Sequence, residues 1–338
     1  MTERFLNIIY GQVDVNNGWL FMNNDVISVF DTSIASYNIG NQIIMDAVKT
    51  EVMELFPDSF VLSLPVEDIK TNARHYNAMS SISFVGGTNI LNSDIRKYRQ
   101  WDLSLHNIIM LSDIVLLGCG WWQYEEQPVT RYTRWAFDRI LSKQYIHSVR
   151  DEYTKNKLAT IGIDSINTGC PTLWRITDDV VKRIPKEKKN SVVVTLTDYN
   201  RNKERDIKLL DICLRNYDTV YLFPQGTGDI PYIEELGYAD RFQFISPQIA
   251  AYNTILESGD VDYVGTRLHA GIRALQKSVR SFIIGIDNRA KEMARDFGLP
   301  VLDENRIEEL EDWIACPYNL NLNIPFERIE LWKQQFRR

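Results

Sequence analysis

The sequence predicts two α/β domains whose parallel sheets face each other across a cleft. Short aliphatic runs, typical of strands buried on both faces, alternate with amphipathic helical patterns. A polar, lysine-rich stretch interrupts this alternation near the middle of the chain. The length of 338 residues favours two domains over one.

Six apolar runs predict strands: SISFVGG (81–87), SDIVLLGCG (112–120), SVVVTLT (191–197), DTVYLFPQG (218–226), DYVG (262–265) and SFIIGI (281–286). A shorter run, YIHSV (145–149), predicts a further strand. Between them, NQIIMDAVKTEVMELF (41–56) places Ile44, Val48, Val52 and Leu55 on one face of a helix. Strands that alternate with helices predict layered α/β domains with right-handed crossovers.

The segment RITDDVVKRIPKEKKN (175–190) predicts the boundary between the domains, because it is polar and is followed at once by a strand run. We expect an N-terminal domain over residues 1–180 and a C-terminal domain over 190–324. The segment IPFERIELWKQQFRR predicts a last helix over 325–338, which can pack back on the first domain.

Composition excludes several classes of protein. The net charge of −7 and the pI of about 5.3 argue against a broad nucleic-acid surface, although a local basic pocket is compatible with them. No apolar run approaches the roughly 18 residues needed to span a bilayer, and the first residues lack a signal-peptide layout, so we expect a cytoplasmic protein. The four cysteines form no CxxC pair and no zinc-like spacing with histidine, so we expect no metal site.

Three cationic or titratable side chains follow predicted strands, namely Arg150, His269 and Arg289. Two of them also have a structural interpretation: Arg150 could pair with the acids of the next helix, and a lone histidine is commonly a buried, hydrogen-bonded residue. Arg267 lies two residues before His269 and would share its face in extended backbone. Because ligands bind beyond the carboxyl ends of parallel strands, the pattern predicts an anionic substrate held between the domains.

Two glycine-containing loops are further candidates for substrate binding. Gly86 and Gly87 follow a strand run, and Asn38 and Gly40 lead into the first long helix. Glycine allows backbone to approach a ligand closely, and a helix N-terminus offers free N–H groups to an anion. Glycine at a strand-to-helix turn is also common for purely structural reasons.

The segments SVRDEYTKNKLATIGI, TGCPTLW, VGTRLHAGIRAL and GIDNRAKEMARDFGLP follow one another in this order, after the glycine loops NIGNQ and VGGTNIL. By the order and spacing of these motifs, the chain resembles the polysaccharide pyruvyl transferase family from Asn38 to Pro300. The resemblance implies two Rossmann-like domains of the GT-B type. The chain departs from the family at IDNR, where YDPK is usual, at TGCP, where GDP is common, and at NIGNQ, where an acid usually follows the glycine.

The resemblance implies transfer of the enolpyruvyl-derived group of phosphoenolpyruvate to a sugar of a cell-surface polysaccharide or its lipid-linked precursor. The products would be a pyruvate ketal and phosphate. By their motifs, Arg150, His269 and Arg289 would be the catalytic residues, with His269 as the acid or base, and no cofactor would be needed. The expected partners are phosphoenolpyruvate and the sugar acceptor, with peripheral contact to the inner face of the membrane as an option and no nucleic acid.

Two alternatives stay open at this point. A glycosyltransferase of the same fold would use a nucleotide sugar, and the loop LFPQGTGD offers Thr227 and Gly228 for its pyrophosphate. A non-catalytic sugar-binding protein would have no need of Arg150 and His269 in these positions. Donor binding distinguishes the first alternative from pyruvyl transfer.

Overall fold

The computed structural model describes residues 25–337, and the first half of the chain is built on a parallel sheet. Four strands pair in the order β2-β1-β3-β4: β1 Val26–Asp31, β2 Phe60–Pro65, β3 Ile82–Gly86 and β4 Ile114–Leu117. Two short strands, β5 His147–Val149 and β6 Ser165–Asn167, pair with each other. A parallel bridge between Cys119 and Val149 joins them to the edge at β4.

Helices cover both faces of this sheet because its side chains alternate between two buried layers. Ile27 and Val29 of β1 share one core cluster with Val48 of the first helix, whereas Phe30 and Val85 belong to the other. The helices of this half are α1 Ile39–Leu55, α2 Thr71–Met79, α3 Leu105–Met110, α4 Arg131–Ile140, α5 Glu152–Ala159 and α6 Asp178–Arg183.

The second half carries a six-stranded parallel sheet in the order β12-β11-β10-β7-β8-β9. Its strands are β7 Ser191–Thr195, β8 Thr219–Leu222, β9 Gln243–Phe244, β10 Val261–Gly265, β11 Ser281–Gly285 and β12 Val301–Asp303. Its helices are α7 Lys203–Asn216, α8 Asp229–Leu236, α9 Ile249–Glu257, α10 Leu268–Gln276, α11 Asn288–Phe297 and α12 Leu310–Ala315.

The last helix, α13 Phe326–Gln334, lies against the first sheet. Trp332 is buried there, with its ring centroid 6.2 Å from that of Phe84 on β3 and 5.8 Å from that of Trp174. Its indole Nε1 donates to the carbonyl of Ile146 at 2.8 Å. The chain therefore returns from the second sheet to the first near its C-terminal end.

The predicted α/β architecture with two parallel sheets is confirmed, and each of the seven predicted strand runs contains a strand. Five strands were not predicted: β1, β2, β6, β9 and β12. Three of these span only two or three residues, which is too short for an apolar run to stand out. The predicted domain boundary falls on a segment that contains α6 and ends directly before β7.

No helix within residues 25–337 has both the length and the apolar character needed to cross a bilayer. The interpretation of the first residues as lacking a signal-peptide layout concerns a segment that lies outside the described residues.

Candidate active site

Each sheet has one point where the strand order reverses, and ligands of such sheets bind beyond the strand ends at that point. It lies between β1 and β3 in the first sheet, and between β7 and β10 in the second. Loops that follow strands of the two sheets touch directly. Asn38 forms an antiparallel bridge with Gly226, and the N–H of Ile39 donates to the carbonyl of Gln225 at 2.9 Å. The strand ends of both sheets are thus held beside one another.

Arg150 follows β5, and its side chain is completely buried. Nε donates to Asp151 Oδ2 at 3.2 Å, and Nη1 donates to Asn89 Oδ1. The third nitrogen, Nη2, is buried without a hydrogen-bond partner in the described part of the chain. Gly120 provides the room for it, because a Cβ at this position would overlap the guanidinium. A buried guanidinium with one unused nitrogen is suited to bind an anion.

His269 is the second residue of α10, directly beyond β10, and its ring is buried. Its Nε2 lies 3.9 Å from the Sγ of Cys170. Burial, followed by the positive charges of Arg289 and Arg150, lowers the pKa of His269 to about 3, against an opposing effect of Asp287. The imidazole is therefore neutral at pH 7, a state in which it accepts a proton.

Arg289 lies in the first turn of α11, beyond the neighbouring strand β11. Nε and Nη2 both donate to Asp287 Oδ2, the first at 2.9 Å, and Nη2 also donates to the hydroxyl of Tyr199 at 2.8 Å. Burial lowers the pKa of Arg289, but the Asp287 carboxylate and Tyr199 outweigh it, so the pKa is raised and the guanidinium stays charged. Arg150 and Arg289 are both close enough for their charges to act on the imidazole of His269.

Arg267 is held by a different set of contacts. Its Nε donates to the carbonyl of Leu196 at 2.8 Å, while Nη2 donates to Asp198 Oδ1 at 3.0 Å and to Asp229 Oδ1. The guanidinium is buried, and its Cζ lies 5.1 Å from the ring centroid of Tyr199. Two carboxylates already compensate its charge, so the geometry favours a structural role over substrate binding.

The loop that holds Thr227 and Gly228 is lined by carboxylates. Asp229 Oδ2 accepts two backbone N–H groups of this loop, at 2.8 and 2.9 Å. A Cβ on Gly228 would overlap the carboxylate of Asp198. Two amides that a pyrophosphate could use are therefore already bound, and acidic side chains lie beside the loop.

Gly86 and Gly87 bring α1 against the end of β3. A Cβ on Gly86 would lie 2.6 Å from Val48 Cγ1, and one on Gly87 would overlap Ile44 Cγ2. Gly87 also has a φ of 62°, which favours glycine. Close helix packing accounts for both glycines.

Asn38 and Gly40 form the N-terminal cap of α1, where Asn38 Oδ1 accepts the N–H of Gly40 at 2.9 Å. Gln225, from a loop of the second sheet, packs on this cap, since a Cβ on Gly40 would lie 3.4 Å from its Oε1. The Gln225 Nε2 is buried and has no hydrogen-bond partner within residues 25–337. This corner joins the two halves of the molecule.

Comparison with known proteins identifies the family. The model of the family described as "Polysaccharide pyruvyl transferase" matches residues 38–288. The chain belongs to the polysaccharide pyruvyl transferase family. It is accordingly a transferase, and the matched range includes Arg150 and His269 but ends one residue before Arg289.

Solved structures of other proteins are similar to this member of the polysaccharide pyruvyl transferase family. UDP-GlcNAc 2-epimerase of Methanocaldococcus jannaschii, solved with UDP-GlcNAc and UDP, has a TM-score of 0.50 and 13% identity over 89% of this chain and 95% of its own. The predicted GT-B-like fold of two Rossmann-like domains is confirmed by this similarity. MnaA of S. aureus, solved with UDP, has a TM-score of 0.49 and 10% identity over 93% of this chain and 91% of its own. No curated protein matches the chain significantly in sequence.

Two residues beside the arginine and histidine of the transferase were not predicted from the sequence. Asn89 binds Arg150 through its side chain, and Cys170 contacts His269. The motif VGGTN contains Asn89, and its position after a predicted strand was the available signal. The motif TGCP contains Cys170, and its only signal in the sequence was the resemblance to the family. Within the described residues, no group of three or more His, Cys, Asp or Glu side chains could hold a metal ion.

The loop after β4, which contains Trp121, Trp122 and Tyr124, also contacts the second half of the transferase. The hydroxyl of Tyr124 donates to Glu292 Oε1 at 2.6 Å, which links this loop to α11. Glu292 is 3% exposed and also pairs with Arg295 one turn along the same helix. The helix that carries Arg289 is therefore tied to a loop of the first half.

Proposed function

We propose that this transferase moves the enolpyruvyl-derived group of phosphoenolpyruvate to two hydroxyls of one sugar, forming a pyruvate ketal and releasing phosphate. The acceptor is a sugar of a cell-surface polysaccharide or of its lipid-linked precursor. The observation that carries the proposal is a neutral histidine under the influence of two arginines, one of which has an unused buried nitrogen. Phosphoenolpyruvate presents a carboxylate and a phosphate, which suit two guanidinium groups.

In the first step, a sugar hydroxyl adds to C2 of the donor while C3 gains a proton. The oxygen forms a bond to C2, the C2–C3 double bond becomes single, and the hydroxyl proton passes to a base. The addition is balanced, because the base returns to C3 the proton that it takes from the hydroxyl. His269 is the base, since it is uncharged at neutral pH and lies close to both Arg150 and Arg289. A second hydroxyl then displaces phosphate from C2, and its proton leaves with the phosphate.

Donor binding also tunes the base. Burial, and after it the two arginines, lower the pKa of His269 in the free protein, which makes it a weak base. The negative charge of bound phosphoenolpyruvate offsets the charge of Arg150 and Arg289, and this removes the part of the lowering that the arginines cause. The base is therefore stronger with the donor in place than without it.

The nucleotide-sugar alternative has less support at the loop that suggested it. Asp229 occupies two of the amides in that loop, and Asp198 lies beside Gly228. A pyrophosphate would meet two carboxylates there, which is unfavourable because like charges repel. Arg267 is the nearby cation, and both carboxylates already bind it.

The test follows phosphate release from phosphoenolpyruvate with nucleotide-linked and lipid-linked sugars as acceptors, together with mass spectrometry of each sugar. The proposal predicts a sugar heavier by one pyruvyl ketal and one phosphate released per ketal. Arg289→Met should abolish turnover, whereas Lys291→Met, on the same helix and paired with Asp303 at 3.2 Å, should not. Turnover of a nucleotide sugar with no pyruvylated product on any acceptor would overturn the proposal.

A lipid-linked acceptor would bring the protein to the inner face of a membrane. This contact is tested by sedimentation of the protein with vesicles that do or do not carry the lipid-linked sugar. Sedimentation that depends on the sugar is the expected result, because binding would then follow from recognition of the acceptor. Equal sedimentation with both kinds of vesicle would contradict this explanation.

A further inference from the structure

The thiol of Cys170 is a buried group that the reaction steps above do not use. It follows β6 and directly precedes the short helical turn Pro171–Leu173. Its Sγ lies 3.9 Å from His269 Nε2 and 4.0 Å from the carbonyl oxygen of Gly87. The cysteine and Gly87 belong to the first half of the molecule, and His269 belongs to the second. The thiol therefore meets the imidazole at the boundary between the two sheets.

The direction of these two hydrogen bonds follows from what each partner can do. Burial raises the pKa of Cys170, although Thr172 and two arginines oppose it, so the sulfur keeps its single proton at neutral pH. The Gly87 carbonyl can only accept, and the thiol is the donor to it. The sulfur then offers only lone pairs to His269, which requires a proton on Nε2.

The neutral imidazole has one proton, so a proton on Nε2 leaves Nδ1 bare. No group within residues 25–337 hydrogen-bonds to Nδ1 in the structure. The charged groups that act on the ring are Arg150 from the end of β5, and Arg289 and Asp287 from the start of α11. Burial, and after it the two cations, disfavour a second proton, which keeps the ring neutral.

We propose that Cys170 is a positioning residue that holds His269 in the tautomer with hydrogen on Nε2 and so assigns Nδ1 as the proton acceptor. The inference deepens the proposed function and rests on it for the identity of the reaction. A carboxylate at position 170 would change the outcome, because it would pair with an imidazolium and favour the protonated ring. An uncharged weak acceptor instead orients the ring without charging it.

The first measurement is nitrogen NMR of the full chain labelled at histidine, with His269→Asn to assign the signal. The chain has four histidines, so the spectrum is simple. In the wild-type protein, we expect the His269 signals to show hydrogen on Nε2 and no titration between pH 5 and 8. Cys170→Ala should yield a mixture of tautomers, and Cys170→Ser should recover part of the single form.

Cys170→Asp should make His269 titrate within the accessible pH range, because the carboxylate raises the pKa of the imidazole. If that variant does not fold, the alanine and serine variants still decide the question. The matched control is Cys213→Ala, which removes another completely buried thiol, on α7 of the second half, and should leave the His269 signals unchanged. Thermal unfolding of each variant shows whether it is folded.

Kinetics supply the second measurement. Cys170→Ala should lower kcat for phosphate release about tenfold, as the loss of an orienting partner does elsewhere, and Cys170→Ser should restore part of the rate. An unchanged tautomer in Cys170→Ala overturns the inference, and so does hydrogen on Nδ1 in the wild-type protein. If the NMR result is as expected but phosphoenolpyruvate is not used, the proposed function fails while the positioning of His269 by Cys170 stands.

Discussion

Replacing Arg267 with methionine tests whether this buried arginine is structural or binds substrate. The change keeps most of the side-chain volume but removes the charge that pairs with Asp198 and Asp229. Burial raises the pKa of Asp229, and Arg267 is the strongest influence that opposes this. Without Arg267, the Asp229 carboxylate keeps its two backbone N–H donors but loses its cation.

The loss of stability that we expect in Arg267→Met follows from how deeply Arg267 and its two carboxylate partners are buried. The side chains of Arg267 and Asp229 are 4% and 3% exposed, so this pair lies in the interior. Removing one partner of a buried pair costs about 3–5 kcal/mol in the free energy of unfolding. The side chain of Asp198 is 26% exposed, so water screens its charge, and the loss of its pair with Arg267 adds little to the free-energy cost. A loss of this size lowers Tm on the order of 10 °C in a protein of this kind.

The assay is thermal and urea unfolding of the full chain for Arg267→Met, Asp229→Asn and the double variant. We expect the double variant to lose less than the sum of the single variants, because the buried carboxylate is gone together with its cation. Arg306→Met is the matched control, since its pair with Glu309 is exposed and should be worth less than about 1 kcal/mol.

The pH dependence of the stability of Arg267→Met is a second test of the structural role. In Arg267→Met the pKa of Asp229 should rise further above that of the unfolded chain. A carboxyl whose folded pKa is raised contributes stability at low pH and loses it as the pH rises through that pKa. The difference in the free energy of unfolding between the wild-type protein and Arg267→Met should therefore become smaller as the pH falls. Unchanged unfolding with loss of donor binding would refute the structural role and restore Arg267 as a substrate ligand.

Four further changes have definite expected outcomes. Gly120→Ala places a methyl group where the Arg150 guanidinium lies, so kcat/KM for phosphoenolpyruvate should fall about 100-fold or more; equal kinetics would mean that Arg150 is not a donor ligand. His269→Ala should lower turnover about 10²–10⁴-fold if the imidazole is the base; an unchanged rate with a lower Tm would support a packing role. Trp332→Ala should cost about 3–5 kcal/mol in urea unfolding, and a value near zero would contradict its place in the core. Tyr124→Phe removes the hydrogen bond to α11 and should raise KM a few-fold with little change in Tm; a large fall in Tm alone would point to a purely structural contact.

The fold was predictable from the sequence because most of its strands are buried on both faces. Continuous aliphatic runs such as SVVVTLT mark these strands directly. The strands β6 and β9 span only three and two residues, so they contain no continuous aliphatic run that would predict them. The parallel sheets then place Arg150, His269 and Arg289 beyond strand ends, as the alternation of strand and helix had indicated.

Contacts between distant segments were not predictable. Asp198, which follows β7, and Asp229, the first residue of α8, reach Arg267 from 69 and 38 residues away. Cys170 reaches His269 across 99 residues. No local pattern encodes such pairs, because the contacts of Arg267 depend on which strands are neighbours in the second sheet, and that of Cys170 on how the two sheets are placed beside each other.

The roles of the strand-end glycines were also beyond the reach of the sequence. A glycine in such a loop can make room for a ligand or for a helix, and the sequence shows a glycine in either case. The close approach of Val48 to Gly86 and of Ile44 to Gly87 in the structure favours packing.

The return of α13 to the first sheet has a consequence for how the chain folds during synthesis. Trp332 fills the core beside Phe84, yet the ribosome completes the whole second sheet before it makes Trp332. The first half, which ends with α6, must therefore wait with an apolar face uncovered, or hold it in a provisional packing, until about 150 further residues have emerged. At about 5–20 residues per second, that interval is on the order of 10–30 seconds. During this time the nascent chain is open to chaperones and to aggregation, which a pulse of proteolysis on stalled chains ending before and after Trp332 would reveal.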